Sequence, residues 1–298
     1  MNAPVFGAIE AGGTKFICAV GRGLDDVPAC QRIPTTTPAE TLARVVAFFR
    51  TASREHGPLA ALGVASFGPL DLDPASPTWG RITGTPKPGW SGADLVAPLR
   101  SAFAVPVAID TDVNGAGLAE ARWGAGRGLG SLVYLTVGTG IGGGAIVGGA
   151  PLHGAAHPEM GHLRVPRHPD DAGFAGVCPF HGDCLEGLAS GPALRARWGV
   201  PAETLPGDHP AWDAVGFYLG HACAAATVLL APHLVIVGGG VSASPPVLPA
   251  VRGWTRRLLA GYPAAPRLAG DLGAYIVPPA LGDRAGVLGA LALAAAAR

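Results

Sequence analysis

One pattern occurs twice in this chain: an apolar run, a glycine-rich break and a second apolar run. The first copy covers residues 5–10, Gly12-Gly13 and residues 15–20. The second covers residues 133–137, Gly138-Thr139-Gly140-Ile141-Gly142 and residues 143–147. The copies lie about 127 residues apart, as Glu10-Ala-Gly-Gly-Thr14 set against Val137-Gly-Thr-Gly-Ile141 shows. Short apolar runs separated by glycine predict β-hairpins, and a recurring hairpin predicts a duplicated fold with one hairpin per half. Helical patterns are expected over 41–54, 95–103, 113–123, 185–197, 212–230, 247–259 and from Asp283 onward. Strands are expected over 62–66, 105–110, 233–237 and 274–277. Strands alternating with helices predict an α/β fold in which helices cover a largely buried sheet. The expected division is an N-terminal α/β domain, 1–115, and a C-terminal one, 116–298.

Composition narrows the function. Lys plus Arg and Asp plus Glu number 21 each, so the net charge is zero and nothing favours nucleic acid or an anionic membrane. Gly 46 and Pro 29 together make a quarter of the 298 residues, a level at which disorder becomes a question. The 49% hydrophobic content answers it, because that much apolar surface offsets the entropy of ordering the chain. The longest apolar stretch, 222–241, is interrupted by Pro232-His233 and changes from Ala/Leu to Val/Ile, which predicts helix, turn and buried strand rather than a membrane span. Five scattered cysteines do not form a disulfide framework. With no secretory pattern at the start, a cytoplasmic protein is expected.

Gly138-x-Gly140-x-x-Gly143 matches the spacing of a dinucleotide-binding fingerprint, but that motif requires a following helix and Ala145-Ile-Val147 is strand-like. Gly12-Gly13-Thr14-Lys15 lacks Walker A spacing. Two equivalent glycine hairpins can instead offer backbone N–H groups to phosphates, with Thr14 and Thr139 adding hydroxyls; ordinary β-turns are the competing reading. Asp110-Thr111-Asp112-Val-Asn114 falls where a strand ends and a helix begins. Asp110 or Thr111 there can be an N-cap, and Asp112 can take a proton from an attacking hydroxyl. Residues 153–184 hold five of the nine histidines. Within them, Cys178-Pro-Phe-His181-Gly-Asp-Cys184, with His162 upstream, supplies four donors suited to a closed tetrahedral Zn²⁺ site. On spacing, His153, His157 and His168 are alternative ligands, and free thiols among loop histidines are the competing reading. A metal there would hold Glu159 and Glu186, which flank the proposed ligands, in fixed positions.

Glu10-Ala-Gly-Gly-Thr-Lys15, Asp110-Thr-Asp-Val-Asn114, Thr136-Val-Gly-Thr-Gly-Ile-Gly-Gly143, Glu159-Met-Gly-His162 and Cys178-Pro-Phe-His-Gly-Asp-Cys-Leu-Glu186 together resemble the ROK family of sugar kinases, repressors and open reading frames. The likeness extends through Val237-Gly-Gly-Gly-Val241 to Gly286-Val-Leu-Gly289. It implies the actin-like ATPase fold, two ribonuclease-H-like domains around a cleft. It also implies roles. Gly12, Gly13, Thr14 and Lys15 with Gly138, Thr139 and Gly140 would line the ATP phosphates, and Gly238, Gly239 and Gly240 the adenosine. Asp112 would be the general base. Gly68, Lys87, Thr111, Glu159, His162 and Glu186 would contact a hexose. His162, Cys178, His181 and Cys184 would bind structural zinc, and Mg²⁺ would be held through water near Glu10.

Glu10, Thr111, His181 and Thr85-Pro-Lys-Pro-Gly-Trp90 depart from the wider family and resemble its zinc-containing bacterial fructokinase branch. The expected reaction is therefore ATP-dependent phosphorylation of D-fructose, with mannose, glucose or an N-acetylhexosamine as rival substrates. A homodimer is expected from the family. The competing classes are a sugar-responsive regulator and a non-catalytic sugar-binding module. Regulators of this family carry an N-terminal helix-turn-helix domain, whereas this chain enters its first strand at Val5. Asp112 and the two hairpins argue against a module that only binds.

Overall fold

The computed structural model describes residues 3–171 and 173–297. The chain forms two compact units. The first combines the sequence up to Arg127 with Ala150–His157 and the stretch from Leu281 onward; the second combines Gly128–Gly149 with Pro158–Ala280.

In the first unit, β1 (Val5–Ala11), β2 (Lys15–Gly21), β3 (Ala29–Pro34), β4 (Leu59–Ser66) and β5 (Val107–Thr111) make one sheet in the order β3-β2-β1-β4-β5. β1 and β2 pair antiparallel, as do β2 and β3, while β4 runs parallel to β1 and to β5. A parallel return needs a crossover, and α1 (Pro38–His56) provides it. Thr37 caps this helix by accepting from the Glu40 N–H, Pro38 starts it, and Gly57 at φ 102° ends it. Leu42, Val45, Phe49 and Ala52, at helical spacing, bury one stripe of α1 in a core with Ile9, Phe16, Leu62 and Trp90.

The opposite face of this sheet is built from smaller side chains. Ala8, Ala61 and Ala65 lie under Leu288, Leu291 and Ala294 of α8 (Ala285–Ala296). The alanines and glycines are required because helix and sheet touch backbone to backbone. A Cβ on Gly63 of β4 would overlap the Ala290 carbonyl, and one on Gly289 would overlap the backbone of Gly115 in α3 (Asp112–Trp123). Helices α3 and α8 therefore pack as one layer. Glu120, fully buried in α3, accepts from the Leu281 N–H at 2.8 Å through Oε1 and from the Ala125 N–H at 2.8 Å through Oε2. This arrangement differs from the expected division at 115/116. That boundary would cut α3, which instead packs with a helix arriving from the far end of the chain. The helix α2 (Ala97–Phe103) is the remaining α-helix of this unit.

The second unit repeats the strand relationships. Hairpin strands β6 (Ser131–Val137) and β7 (Ile141–Val147) pair antiparallel, β9 (Val235–Gly238) runs parallel to β6, and β10 (Ile276–Val277) runs parallel to β9. With the two-residue strand β8 (Ala150–Pro151) at the edge, the order β10-β9-β6-β7-β8 matches β5-β4-β1-β2-β3, so the duplication seen in the glycine motifs is a duplication of topology. The single helix expected over 185–197 is two, α4 (Leu185–Ala189) and α5 (Gly191–Trp198), broken at the extended residue Ser190. The Ser190 side chain accepts from the Ala193 N–H and starts α5. In α6 (Ala211–Leu230) and α7 (Val247–Leu259), Gly216 and Gly220 meet Ala250 and Trp254. Among the described residues, α6 alone has the length and apolarity to cross a membrane, and 67% of its apolar window is buried within the protein.

Two glycine-to-alanine changes separate packing from helix propensity. Gly289→Ala places a methyl group on the α3 backbone and is expected to destabilise by about 1–3 kcal/mol. Gly253→Ala, in α7 with open space around its Cβ position, is expected to be neutral or to stabilise by about 0.5–1 kcal/mol. Thermal melting of both variants beside the parent checks the pair.

Candidate active site

In the first unit, the β1–β2 turn is held by its own backbone and by β3. The Gly12 N–H donates to Lys15 O at 3.0 Å, the Thr35 N–H to Thr14 O at 3.0 Å, and the Thr35 hydroxyl to Gly12 O at 2.8 Å. Residues 12–15 are thus a fixed turn. The stem of Lys87 lies 4.0 Å from where a Gly13 Cβ would be, so the Pro-rich loop reaches this hairpin. That loop begins at the cis Gly68–Pro69 bond just beyond β4.

Beside the hairpin is an acidic group of three. Glu10 precedes the turn, Asp112 opens α3, and Asp283 precedes α8. Burial, together with the charges of Asp112 and Asp283, pushes the Glu10 carboxyl from an ordinary 4.5 up to about 7, against the opposing effects of Lys15 and a hydrogen bond from the Val287 backbone. Its Oε2 is buried without a hydrogen-bond partner. Space for this carboxylate exists because residue 286 is glycine: a Cβ there would overlap the Glu10 carboxyl group. A buried, partnerless carboxylate oxygen among like charges suits a hydrated cation.

The junction of β5 and α3 divides the roles left open among residues 110–112. Thr111 is the N-cap, its hydroxyl accepting from the Asn114 N–H at 3.2 Å. Asp110 is buried, its Oδ1 accepting from the Thr111 N–H and from Asn114 Nδ2, each at 2.7 Å. Asp112 occupies the first helical position, at the carboxyl end of a parallel strand, the region where open α/β sheets bind ligands.

In the second unit, the β6–β7 turn is braced in the same way. The Gly138 N–H donates to Gly140 O at 2.9 Å, and the Gly191 N–H at the start of α5 donates to Gly138 O at 2.8 Å. Gly239, at φ 94°, lies so close to Val137 that a Cβ would meet that residue's backbone at 2.5 Å, and the Val241 N–H donates to Val137 O at 2.9 Å. The turns 138–140 and 238–240 therefore share one end of the sheet, at the carboxyl ends of β6 and β9. Gly161 packs on the Ile141 carbonyl with no room for a Cβ, which seats the Glu159–His162 turn against the hairpin. Glu186, in the first turn of α4, accepts from the Ile141 N–H at 2.9 Å through Oε2.

His162, Cys178, His181 and Cys184 converge, with one ligand atom from each inside a set spanning 4.8 Å. His162 Nδ1 lies 3.4 Å from Cys184 Sγ and 3.7 Å from Cys178 Sγ, and His181 Nδ1 lies 3.8 Å from Cys178 Sγ. Metal–nitrogen bonds near 2.0–2.1 Å and metal–sulfur bonds near 2.3 Å give tetrahedral edges of about 3.4–3.8 Å, so these donors fit a metal ion. Backbone pairs Cys178 N–H to Gly182 O and Gly182 N–H to Cys178 O close the loop, and Arg164 and Arg167 both engage Asp183. Because Nδ1 of His162 faces the thiols, Nε2 is the nitrogen left for another ligand.

Of the histidines considered as alternatives, none is in this cluster. His168 pairs with Asp213 at 3.2 Å, His153 with Asp110 at 3.0 Å, and His157 accepts from the Leu70 N–H at 3.0 Å. The sequence reading noted Asp283 as a helix start and Gly286 in the C-terminal motif but did not bring either to Glu10, and it did not find the Asp110–His153 pair. A carboxylate three residues before Gly286 was the available sign for the first two; the third joins residues with no local pattern in common.

Glu10 yields a pH prediction. Its folded pKa, about 7, exceeds the ordinary 4.5. Its contribution to stability is therefore fully present below about pH 4.5 and is lost as the pH rises through 7. In chelator and without nucleotide, the parent should lose on the order of 3 kcal/mol of stability relative to Glu10→Gln between pH 4.5 and 8, read from melting curves across that range.

The ROK family model matches residues 6–297. The chain is 48% identical to a fructokinase from Zymomonas mobilis over 98% of its own length and 97% of that protein's. It is 46% identical to a putative fructokinase from Bacillus subtilis over 97% and 95% of the two lengths. A ROK family glucokinase from Streptomyces griseus, solved in complex with glucose and AMPPNP, superposes with a TM-score of 0.74 at 26% identity, covering 98% of this chain and 99% of that one. The two repeated sheets are those of the actin-like ATPase fold, and this chain belongs to the ROK family.

Proposed function

We infer that this chain is an ATP-dependent fructokinase that converts D-fructose to fructose 6-phosphate. Near-full-length identity of 48% to a protein named fructokinase supports the substrate. The observation that carries the chemistry is Asp112 at the carboxyl end of β5, with Glu10 and the first glycine turn in the same unit.

In this reading Asp112 takes the proton from the sugar's 6-hydroxyl as that oxygen attacks the γ-phosphorus in line, and ADP leaves. Phosphoryl transfer requires mainly positioning and charge neutralisation. Gly12, Gly13, Thr14 and Lys15 of the first unit and Gly138, Thr139 and Gly140 of the second bind the phosphates. Gly238, Gly239 and Gly240 bind the adenosine side. Glu10 would hold a Mg²⁺ ion through water, and that ion would supply charge neutralisation at the phosphates; the buried, partnerless Oε2 of Glu10 supports that role. Gly68, Lys87, Thr111, Glu159, His162 and Glu186 hold the sugar. Two of them have prior commitments, since Thr111 caps α3 and Glu186 accepts from Ile141; each retains bonding capacity for a hydroxyl.

His162, Cys178, His181 and Cys184 would hold a zinc ion of structural role. Through these ligands the segment carrying Glu159 would be tied to the one carrying Glu186, with His162 Nε2 left for the sugar. Four protein donors leave no open position of the kind a catalytic zinc requires. The working enzyme is a cytoplasmic homodimer.

A coupled ADP-release assay over fructose, mannose, glucose and N-acetylmannosamine is expected to give its highest kcat/KM with fructose. Highest efficiency with another sugar would reassign the substrate, and no turnover with any would remove the kinase reading. Asp112→Asn should abolish turnover while fructose affinity stays within about tenfold, roughly 1.4 kcal/mol; an active variant excludes Asp112 as the base. Metal analysis of protein purified without chelator should find one zinc per chain, lost in Cys184→Ala. A zinc-free parent protein would dissolve the assignment.

A further inference from the structure

Residues 150–157 belong to the first unit, although in sequence they follow the second hairpin. Two histidines attach this short strap. His153 Nε2 lies 3.0 Å from Oδ2 and 3.2 Å from Oδ1 of Asp110, whose side chain is 4% exposed. Four residues on, His157, 7% exposed, accepts from the Leu70 N–H at 3.0 Å through its own Nε2. Between them, the Gly154 N–H donates to Ala156 O at 3.0 Å and turns the strap.

The two attachments require opposite tautomers. The Asp110 carboxylate only accepts, so Nε2 of His153 carries a proton; the hydrogen bond to Asp110 raises the pKa of that imidazole. The Leu70 N–H only donates, so Nε2 of His157 is bare and its proton sits on Nδ1. Both anchoring points lie at the carboxyl ends of adjacent parallel strands, Asp110 as the penultimate residue of β5 and Leu70 four residues beyond β4. Asp110 is two residues before Asp112. Leu70 is two residues after Gly68, and the His157 ring lies 3.6 Å from where a Gly68 Cβ would be. The strap ends at His157, and the second residue beyond it is Glu159.

We propose that His153 and His157 are positioning residues for the sugar: they fasten strap 150–157 to the base-bearing strand end and to the Gly68 loop, and so hold those two segments in place. The proposal rests on the sugar-kinase reading. Neither histidine is asked to touch the sugar or ATP. The bond to Asp110 holds the carboxylate that also engages Thr111 and Asn114, and the bond to Leu70 holds the loop at Gly68. Loss of either anchor frees the acceptor side of the site and leaves the glycine turns of the nucleotide side as they are.

Side-chain reach makes this testable without changing chemistry. A glutamine amide stands near the position of Nε2 and can donate to Asp110 or accept from Leu70, whereas an asparagine amide falls short. His153→Asn and His157→Asn should each raise the fructose KM by about tenfold or more, about 1.4 kcal/mol, while the ATP KM stays within about twofold. His153→Gln and His157→Gln should remain near the parent on both. Asn and Gln variants with the same fructose KM, or a parallel rise in the ATP KM, would overturn the proposal. A parent that turns over no hexose would instead defeat the kinase reading beneath it.

Discussion

Backbone contact among α3, α8 and β4 is the constraint on which the first unit depends. Gly63, Gly115 and Gly289 remove the side chains that would separate these elements, and Ala8, Ala61 and Ala65 keep the remaining interface thin. Close approach increases the number of dispersion contacts per residue and aligns the starts of both helices beside the strand ends. The N-terminus of α8 then lies against Glu10, where Gly286 makes room for the carboxylate, and the N-terminus of α3 presents Asp112. The acidic group is therefore a product of packing. Its three members come from residues 10, 112 and 283, and no local pattern joins them.

The second unit uses the same device for a different purpose. Gly161 and Gly239 bring two loops onto the backbone of the second hairpin at Ile141 and Val137. One of those loops continues into the thiol–imidazole cluster, and the other is the triple-glycine turn after β9. One end of the sheet thus becomes a rigid junction at which a hairpin, the thiol–imidazole loop and a glycine turn are held by main-chain contacts. In both units the protein places flexible-sequence motifs on inflexible supports, which is what recognition of a phosphate or a polyhydroxylated sugar demands. Part of the high glycine content, a reason to ask about disorder in the sequence alone, acts in the folded chain to permit these approaches.

Much of this was legible from residues. The two hairpins were, because glycine between apolar runs has few alternatives, and the strand positions around them followed from short apolar segments. The four-donor cluster was legible too, since His162, Cys178, His181 and Cys184 lie within one stretch of chain. What escaped was long-range or capping in nature. The helix expected over 185–197 is split because Ser190 caps a new helix, a local choice that apolar periodicity does not report. The strand β3 was missed because its outward residues are polar and only Ile33 is buried among them. The boundary expected at 115/116 falls inside α3, a helix held by α8, which lies more than 160 residues further along the chain.

The sequence by itself determined the duplicated hairpins, the α/β class, the family and the identity of the chemical groups available, because each of these is encoded in residues close together. Tertiary structure decided which groups act together. It made Thr111 a cap and Asp110 an anchor, tied Glu186 to the second hairpin, raised the Glu10 pKa, and joined His153 and His157 to strand ends they do not neighbour in sequence. Burial, electrostatic coupling and hydrogen-bond direction depend on distance in space, and only the packed chain defines those distances.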